Sequence, residues 1–464
     1  MSSFTPFRTK MEQAGVSEAA ILSFQRNYEI LACGSSTDIT EASIEPVEKL
    51  PELEEISQDG EAFSAELLAK TVVIKLNGGL GTSMGLQKAK SLLEVKDGST
   101  FLDIIVDQIS YLRNTTGAQV KFLLMNSFST SEDTLDHLAQ YPDESLSAKA
   151  QVELHQNQIP KIDAKTMEPV DYPANSNLEW CPPGHGDIYP AIAGSGWLDK
   201  LLSEGVKYAF VSNSDNLGAV LHPGILRYFA ESGKPFLMEA TRRTEADKKG
   251  GHLAIRKEDG QLLLREVAQC PDSDLGEFQN IAKHQYFNTN SLWVNLESLK
   301  SELDAKGGVL PLPVIINNKT VDPRDKSSKS VYQLETAMGA AIECFKGADA
   351  ICVPRSRFAP VKTTADLFTL RSDAYETTED GRIALVKERE GKPPVVRLSD
   401  EYKLVDSLEG LGVPSLKRAA ELSLKGPVRF ADMVEIRGTV SISNEKSDTS
   451  WIANGIYKDE DVVL

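Results

Sequence analysis

The chain has 464 residues, 41% apolar and 25% charged, enough for a large core and two or three globular domains. Its 68 acidic residues outnumber 50 basic ones, and the formal net charge of −18 argues against partners that need a basic face, nucleic acid and anionic membranes among them. The five cysteines, Cys33, Cys181, Cys270, Cys344 and Cys352, are scattered and lack a C-x-x-C pair, so the expectation is free thiols in a reducing cytoplasm, not a disulfide framework or a zinc site.

The opening Met1-Ser2-Ser3-Phe4-Thr5 carries no apolar run, and no stretch approaches ~20 apolar residues, so neither a signal peptide nor a membrane span is expected. Residues 1–64 read as a polar helical segment. Within it Glu41, Glu45, Glu48, Glu52, Glu54, Glu55, Asp59 and Glu61 stand against a lone Lys49, the mark of a solvated connecting stretch.

At Thr71 the character changes. The β-branched run Thr71-Val72-Val73-Ile74-Lys75-Leu76-Asn77 reads as a buried strand. Four glycines follow within eight residues, Gly78, Gly79, Gly81 and Gly85. Without Cβ atoms, their amides can approach a ligand and form a concavity suited to phosphate oxygens. Lys88 and Lys90 follow and add charge. Counting excludes a dinucleotide fingerprint, since Met84 stands where its last glycine belongs, and a P-loop, since Ala89 precedes Lys90-Ser91. A plain strand-to-helix turn stays open as the alternative.

Phe101, Ile104, Ile105, Ile109 and Leu112 share one helical face, and Val120–Met125 and Tyr208–Val211 are further buried-strand runs ending in polar loops. This alternation predicts an α/β domain with a mainly parallel sheet, whose ligands bind beyond the carboxyl ends of the strands. The Gly-rich loop, Asn126 and Asp215 fall on that edge. In Pro182-Pro183-Gly184-His185-Gly186-Asp187, the histidine either donates to a phosphate or sugar oxygen or holds the loop together. Asp215, flanked by Asn213 and Asn216, suits either Mg²⁺ or a helix cap. Basic residues gather at Arg242, Arg243, Lys248 and Lys249, at Lys319, and at Arg355, Arg357 and Lys362; the last group reads as an anion site or as isolated surface charges. Asn288 and Asn290 offer amides suited to sugar hydroxyls, or turn formers beside a strand. After residue 385 the short alternating stretches around Val428, Phe430, Val434, Ile436, Val440 and Ile442 suit a small β appendage, either a turn or two of β-helix or a hairpin. No nucleophile elbow, His-Glu-x-x-His or EF-hand loop is present.

Taken in order, Leu76–Gly85, Met125-Asn126-Ser127-Phe128, Pro182–Asp187, Ser212–Gly218, Phe287–Trp293, Gln333-Leu334-Glu335-Thr336-Ala337 and Val353–Thr364 resemble the eukaryotic-type UTP–glucose-1-phosphate uridylyltransferases, or UDP-glucose pyrophosphorylases. The resemblance runs from about Thr71 to Tyr375 and continues weakly beyond. It implies a Rossmann-like nucleotidyltransferase (GT-A-like) mixed sheet flanked by helices over residues 65–385, with residues 1–64 packed on it and a small β-helix-like domain over 386–464. The implied reaction makes UDP-glucose and pyrophosphate from UTP and glucose 1-phosphate, reversibly, with Mg²⁺ as cofactor and no nucleic acid or membrane partner. A broader UDP-sugar or UDP-N-acetylhexosamine pyrophosphorylase, or a silent sugar-nucleotide-binding regulator, are the alternatives.

By resemblance Leu76, Asn77, Gly78 and Gly79 hold the nucleotide, with Gln158 and Gly184 at the uracil and Asn213 beside Asp215, the Mg²⁺ ligand. His185, Glu266, Asn288 and Asn290 meet the sugar phosphate. Lys362 and Lys90 are the catalytic cations. Departures are Lys88-Ala89 where the family has Gly-Pro, Cys181 before Pro-Pro-Gly-His, and a shorter C-terminal β region, which leaves a homo-oligomer an open expectation.

Overall fold

In a computed structural model that describes residues 4–57 and 60–464, the chain opens with helices α1 (Thr5–Gln13) and α2 (Glu18–Cys33). Ser17 caps α2 through its hydroxyl, and Gly34 ends it in the left-handed conformation. Phe7, Phe24 and Tyr28 bury the contact face of the pair, with ring centroids 4.8–5.5 Å from Phe7. Helix does not continue to residue 64 as the sequence suggests. Beyond Cys33 the chain is mostly extended, and β1 (Ile44–Pro46) joins the main sheet. Nor is the acidic stretch merely solvated: Glu41 meets Arg265, Lys283 and His284, Glu52 meets Arg242, and Glu61 meets Arg227. Asp59 lies outside the described residues.

The apolar runs are the central strands: β2 (Thr71–Asn77), β3 (Lys121–Asn126), β4 (Glu153–His155) and β5 (Tyr208–Asn213), all parallel in the order β5-β2-β3-β4. Every residue of β2 is buried, because helices cover both sheet faces and leave no polar side. Helix α3 (Phe101–Thr116), started by a Thr100/Asp103 capping box, buries Phe101, Ile104, Ile105 and Ile109. On the other face, α4 (Ile188–Gly194) and α5 (Trp197–Ser203) pack Ile188, Ile192, Leu198 and Leu201 into the core beneath β2.

Beyond β5 the sheet turns antiparallel. β6 (Phe236–Arg242), β7 (His252–Arg256), β8 (Leu262–Arg265) and the long β9 (Tyr286–Asn295) extend it, and β10 (Asp349–Cys352) returns parallel to β6. The result is a ten-stranded mixed sheet with the parallel half, and hence the predicted ligand edge, on one side. β9 opposes β5, pairing Trp293 with Phe210. A bulge opposite Glu239–Ala240 lets Thr289 and Asn290 leave the ladder, while Asn288 stays paired with Ala240.

The C-terminal part stacks parallel strands: β11 (Val395–Leu398), β12 (Ser415–Lys425), β13 (Val434–Ser443) and β14 (Gly455–Lys458). All-parallel pairing between sequential strands is a short β-helix and excludes the hairpin reading. Val428, Phe430, Val434, Ile436, Val440 and Ile442 form its interior. No helix among the described residues is long and apolar enough to cross a membrane.

Candidate active site

The loop after β2 closes on itself when the Lys90 amide donates to the Gly79 carbonyl at 3.0 Å. That closure fixes the direction of Lys90. Its ammonium donates to Asp215 Oδ2 at 2.7 Å and also to the Val361 carbonyl. Lys362 donates to the same Oδ2 at 3.0 Å. Lys88 is exposed, and of the two lysines it is Lys90 that bonds to Asp215.

Asp215 sits just past the end of β5, and its second oxygen, Oδ1, is buried with no hydrogen-bond partner. Neither an Asx turn nor a helix cap engages it; two cations and an unfilled acceptor do. An orphaned carboxylate oxygen beside two lysine ammoniums fits a divalent cation. No group of three or more candidate ligands lies together among the described residues, so protein atoms alone do not build a cage. That donor set suits Mg²⁺, which takes one or two protein carboxylates and completes its shell with substrate phosphates and water.

The 215–220 turn and the 355–362 segment form one unit. Asn216 donates to the Arg357 carbonyl and accepts from the Ala359 amide, and the Val361 amide donates to the Asp215 carbonyl. The cluster of Arg355, Arg357 and Lys362 is therefore not a three-cation anion site. Arg355 is paired with Asp247, and Arg357 forms a buried bidentate pair with Glu239 at 2.7 and 2.8 Å. Only Lys362 of that run faces the centre. Arg243 is likewise buried, donating to the carbonyls of Phe278 and His284.

Gly184 has φ +80°, and a Cβ there would lie 2.5 Å from the Thr336 carbonyl oxygen. The Pro-Pro-Gly-His turn is thus jammed against the strand ending at Thr336, whose amide donates to the Pro183 carbonyl. This presents His185. Its Nδ1 accepts from the Met338 amide at 3.0 Å, so the neutral ring carries its proton on Nε2, ready to donate to an oxyanion. Burial, reinforced by the charge of Lys362, lowers its pKa to about 4 and keeps it neutral.

The glutamine at the cradle is Gln156, not Gln158. Gln156 Nε2 donates to the Gly184 carbonyl at 3.0 Å, and a Cβ on Gly78 would lie 2.7 Å from its Oε1. The segment is held by Asp187, which accepts from the Asn157 amide at 2.7 Å and from its side chain at 3.1 Å. Two glutamines stand two apart in His155-Gln156-Asn157-Gln158, and Gln156 is the one that bonds to Gly184. Asn77 spends its side chain on Asn126 and Thr134, so it can offer a ligand only its backbone; Asn213 ends β5 opposite Leu76.

On the far side, Asn288 donates to Asn290 Oδ1 and accepts from the Asn290 amide, each at 2.9 Å, with Asn290 at φ +58°. Glu266 closes β8, and a Cβ on Gly251 would come within 2.6 Å of its carboxyl, while the Asn288 amide donates to the Gly251 carbonyl. Burial raises the Glu266 pKa. The amides of Asn288 and Asn290 and the nearby carboxyl of Glu266 are groups suited to polyhydroxyl recognition. The geometry thus runs from the glycines and Gln156, through two lysines, a carboxylate and a neutral imidazole, to the Asn288, Asn290 and Glu266 group.

Comparison with known proteins gives the family. The family model described as UTP--glucose-1-phosphate uridylyltransferase matches residues 22–437. The UTP--glucose-1-phosphate uridylyltransferase of Solanum tuberosum is 41% identical over 423 residues, covering 90% of this chain and 85% of that one. A variant UDP-glucose pyrophosphorylase from Leishmania major, solved in complex with UDP-glucose, is 46% identical and superposes with a TM-score of 0.93 over 100% of both chains. A Trypanosoma brucei UDP-glucose phosphorylase is 49% identical, with a TM-score of 0.89 over 99% of both.

Proposed function

The chain belongs to the UTP–glucose-1-phosphate uridylyltransferase family, and from that membership we infer that it makes UDP-glucose and pyrophosphate from UTP and glucose 1-phosphate. We further propose how its residues divide the work. The nucleotide lies against the backbone of Leu76–Gly79, with Gln156 and Gly184 at the base. Asp215 Oδ1 holds Mg²⁺, which when bound neutralises phosphate charge. Lys90 and Lys362, which share Asp215 Oδ2 in the structure, turn to the phosphates of UTP and leave that carboxylate to the metal. His185 donates through Nε2 to a phosphate or sugar oxygen, and Asn288, Asn290 and Glu266 take the hexose hydroxyls.

A phosphate oxygen of glucose 1-phosphate then attacks the α-phosphorus of UTP and the bond to pyrophosphate breaks. The chain needs no nucleophile of its own. It positions two anions in line and offsets their charge. One phosphoanhydride replaces another, so the reaction runs both ways. Four buried free thiols suit the reducing cytoplasm, where we place the protein.

The convergence of both lysines on Asp215 Oδ2, with Oδ1 buried and unpartnered, carries this reading. Its test is pyrophosphate release from UTP and glucose 1-phosphate with and without Mg²⁺. Release that needs the ion, and that disappears in Asp215→Asn, supports it. Undiminished release in EDTA would remove the metal from the scheme.

A further inference from the structure

Lys75 is an anomaly in the strand that leads to the glycine loop. It is 2% exposed, in a strand whose every residue is buried, and an apolar side chain would fill the position without desolvating a charge. Glu239, the carboxylate closest in charge influence, is already taken bidentately by Arg357. The Lys75 ammonium instead donates to Ser212 Oγ at 2.9 Å and to the Ala219 carbonyl at 2.6 Å. Stability does not explain a buried cation held by neutral acceptors, since such a group costs several kcal/mol that its hydrogen bonds only partly offset.

Its two partners explain it. Ser212 is its register neighbour in β5, one residue before Asn213, and Ala219 lies on the returning limb of the turn that carries Asp215. The next carbonyl, Val220, receives Arg357 at 2.8 Å. Two buried cations thus grip successive carbonyls of one turn. From below, Lys75 ties the turn to the strand of the nucleotide loop. From the side, Arg357 ties it to the segment carrying Lys362. Gly218 leaves no slack, since any Cβ there would collide with the Ser356 carbonyl. Beneath the turn a cavity of about 60 Å³, lined by Lys75, Val73, Ala219, Val220 and Leu221, would let it sag if the lysine were lost. Burial, with Arg357 adding to it and Glu239 opposing, lowers the Lys75 pKa to about 7, and in either protonation state the amine keeps N–H donors for both acceptors.

We propose that Lys75 is a positioning residue for the reaction: through Ser212 and the Ala219 carbonyl it fixes the height of the Asp215 turn over the glycine loop, and so sets the metal carboxylate against the nucleotide phosphates. This rests on Asp215 as the Mg²⁺ ligand. It implies that the lysine acts on turnover and on the metal requirement, not on grip of the base or sugar.

The experiment compares wild type with Lys75→Met and Ser212→Ala, measuring kcat, KM for both substrates, the Mg²⁺ concentration for half-maximal rate, UDP-glucose Kd without Mg²⁺, and melting temperature. Lys75→Met should lower kcat ~10–100-fold and raise the Mg²⁺ requirement severalfold, with KM and Kd within about twofold, because an ångström of displacement at the reacting centre costs up to ~100-fold. Ser212→Ala should shift the same two quantities less. A kcat within twofold of wild type in Lys75→Met overturns the proposal, as does a Kd that weakens in step with kcat. Should Lys75→Met fail to fold, Ser212→Ala decides alone, and an unchanged Mg²⁺ requirement there overturns the idea. Wild type assayed in EDTA separates the two readings: turnover without the ion defeats the metal assignment of Asp215, whereas Mg²⁺-dependent turnover indifferent to both substitutions defeats only the role of Lys75.

Discussion

Two lysines meet at Asp215, and their settings differ. The Lys362 side chain is 59% exposed, whereas that of Lys90 is 14% exposed and also bound to a carbonyl. The exposed one can swing to a substrate at little cost, so it is the better placed to follow charge that develops during the reaction. Lys362→Ala should cut kcat ~100-fold or more with an unchanged melting temperature; a tenfold or smaller loss, measured at saturating substrate, would show that another group carries that charge. The glutamine pair gives a second test. Gln156 bridges Gly78 and Gly184, so Gln156→Ala should raise KM for UTP about tenfold or more, because the base loses a buried amide partner. Gln158→Ala should change it less than twofold. The reverse order, in steady-state titrations of UTP, would return the role to Gln158.

At the scale of elements, legibility follows how local each feature is. The parallel strands Thr71–Asn77, Lys121–Asn126 and Tyr208–Asn213 were readable because burial on both faces writes a continuous apolar run into the sequence. Ile44–Pro46 was not, since three residues become a strand only through pairing with Ala254–Arg256 some two hundred positions away. The same holds for charges: Arg357 and Lys362 look alike in sequence, and only the distant Glu239 decides that one is structural. The turn 184–187 shows the limit most clearly. Its glycines announced close approach, but the close partner is Thr336, and the residue that orders Gln156 is Asp187, which nothing local marks.

Asp187 also gives that turn a pH signature. Burial pushes its carboxyl up to about 7 against the donors of Asn157. Between the ordinary 3.8 and about 7, the folded protein keeps a proton that the unfolded chain has lost, so raising the pH through this window withdraws stability. Asp187→Asn keeps a carbonyl acceptor and cannot ionise. The melting temperature of wild type relative to Asp187→Asn should therefore fall as pH rises from 5 to 8; a constant difference would show that the carboxyl is ionised throughout.

Over the whole molecule, the N-terminal segment is a strap that reaches the strand end beside Glu266, the residue proposed to meet the sugar. Glu41 accepts from Arg265 at 2.6 Å, Lys283 at 2.8 Å and His284 at 3.0 Å, and the Ile39 amide donates to the Gln269 carbonyl. The Arg265 side chain is fully buried, and its neighbour in sequence is Glu266, whose amide Gln269 caps. One carboxylate on the strap therefore holds Arg265, the residue just before Glu266. Burial opposes its ionisation, yet the donors Lys283, His284 and Arg265 prevail and hold its pKa down to about 2. A lowered carboxyl pKa stabilises the fold above the ordinary 4.5 and loses that contribution as pH falls toward 2, so at pH 7 it is fully present. Glu41→Gln leaves Arg265 with Asp274 at 3.3 Å and no closer carboxylate, and should cost about 2–3 kcal/mol in denaturant unfolding. Because the loosened strand end carries Glu266 and lies away from Gly78 and Gln156, KM for glucose 1-phosphate should rise severalfold while KM for UTP holds. Equal increases in both would mean that the strap supports the whole sheet edge and not the sugar side, and that a change at Arg265 is not transmitted to Glu266.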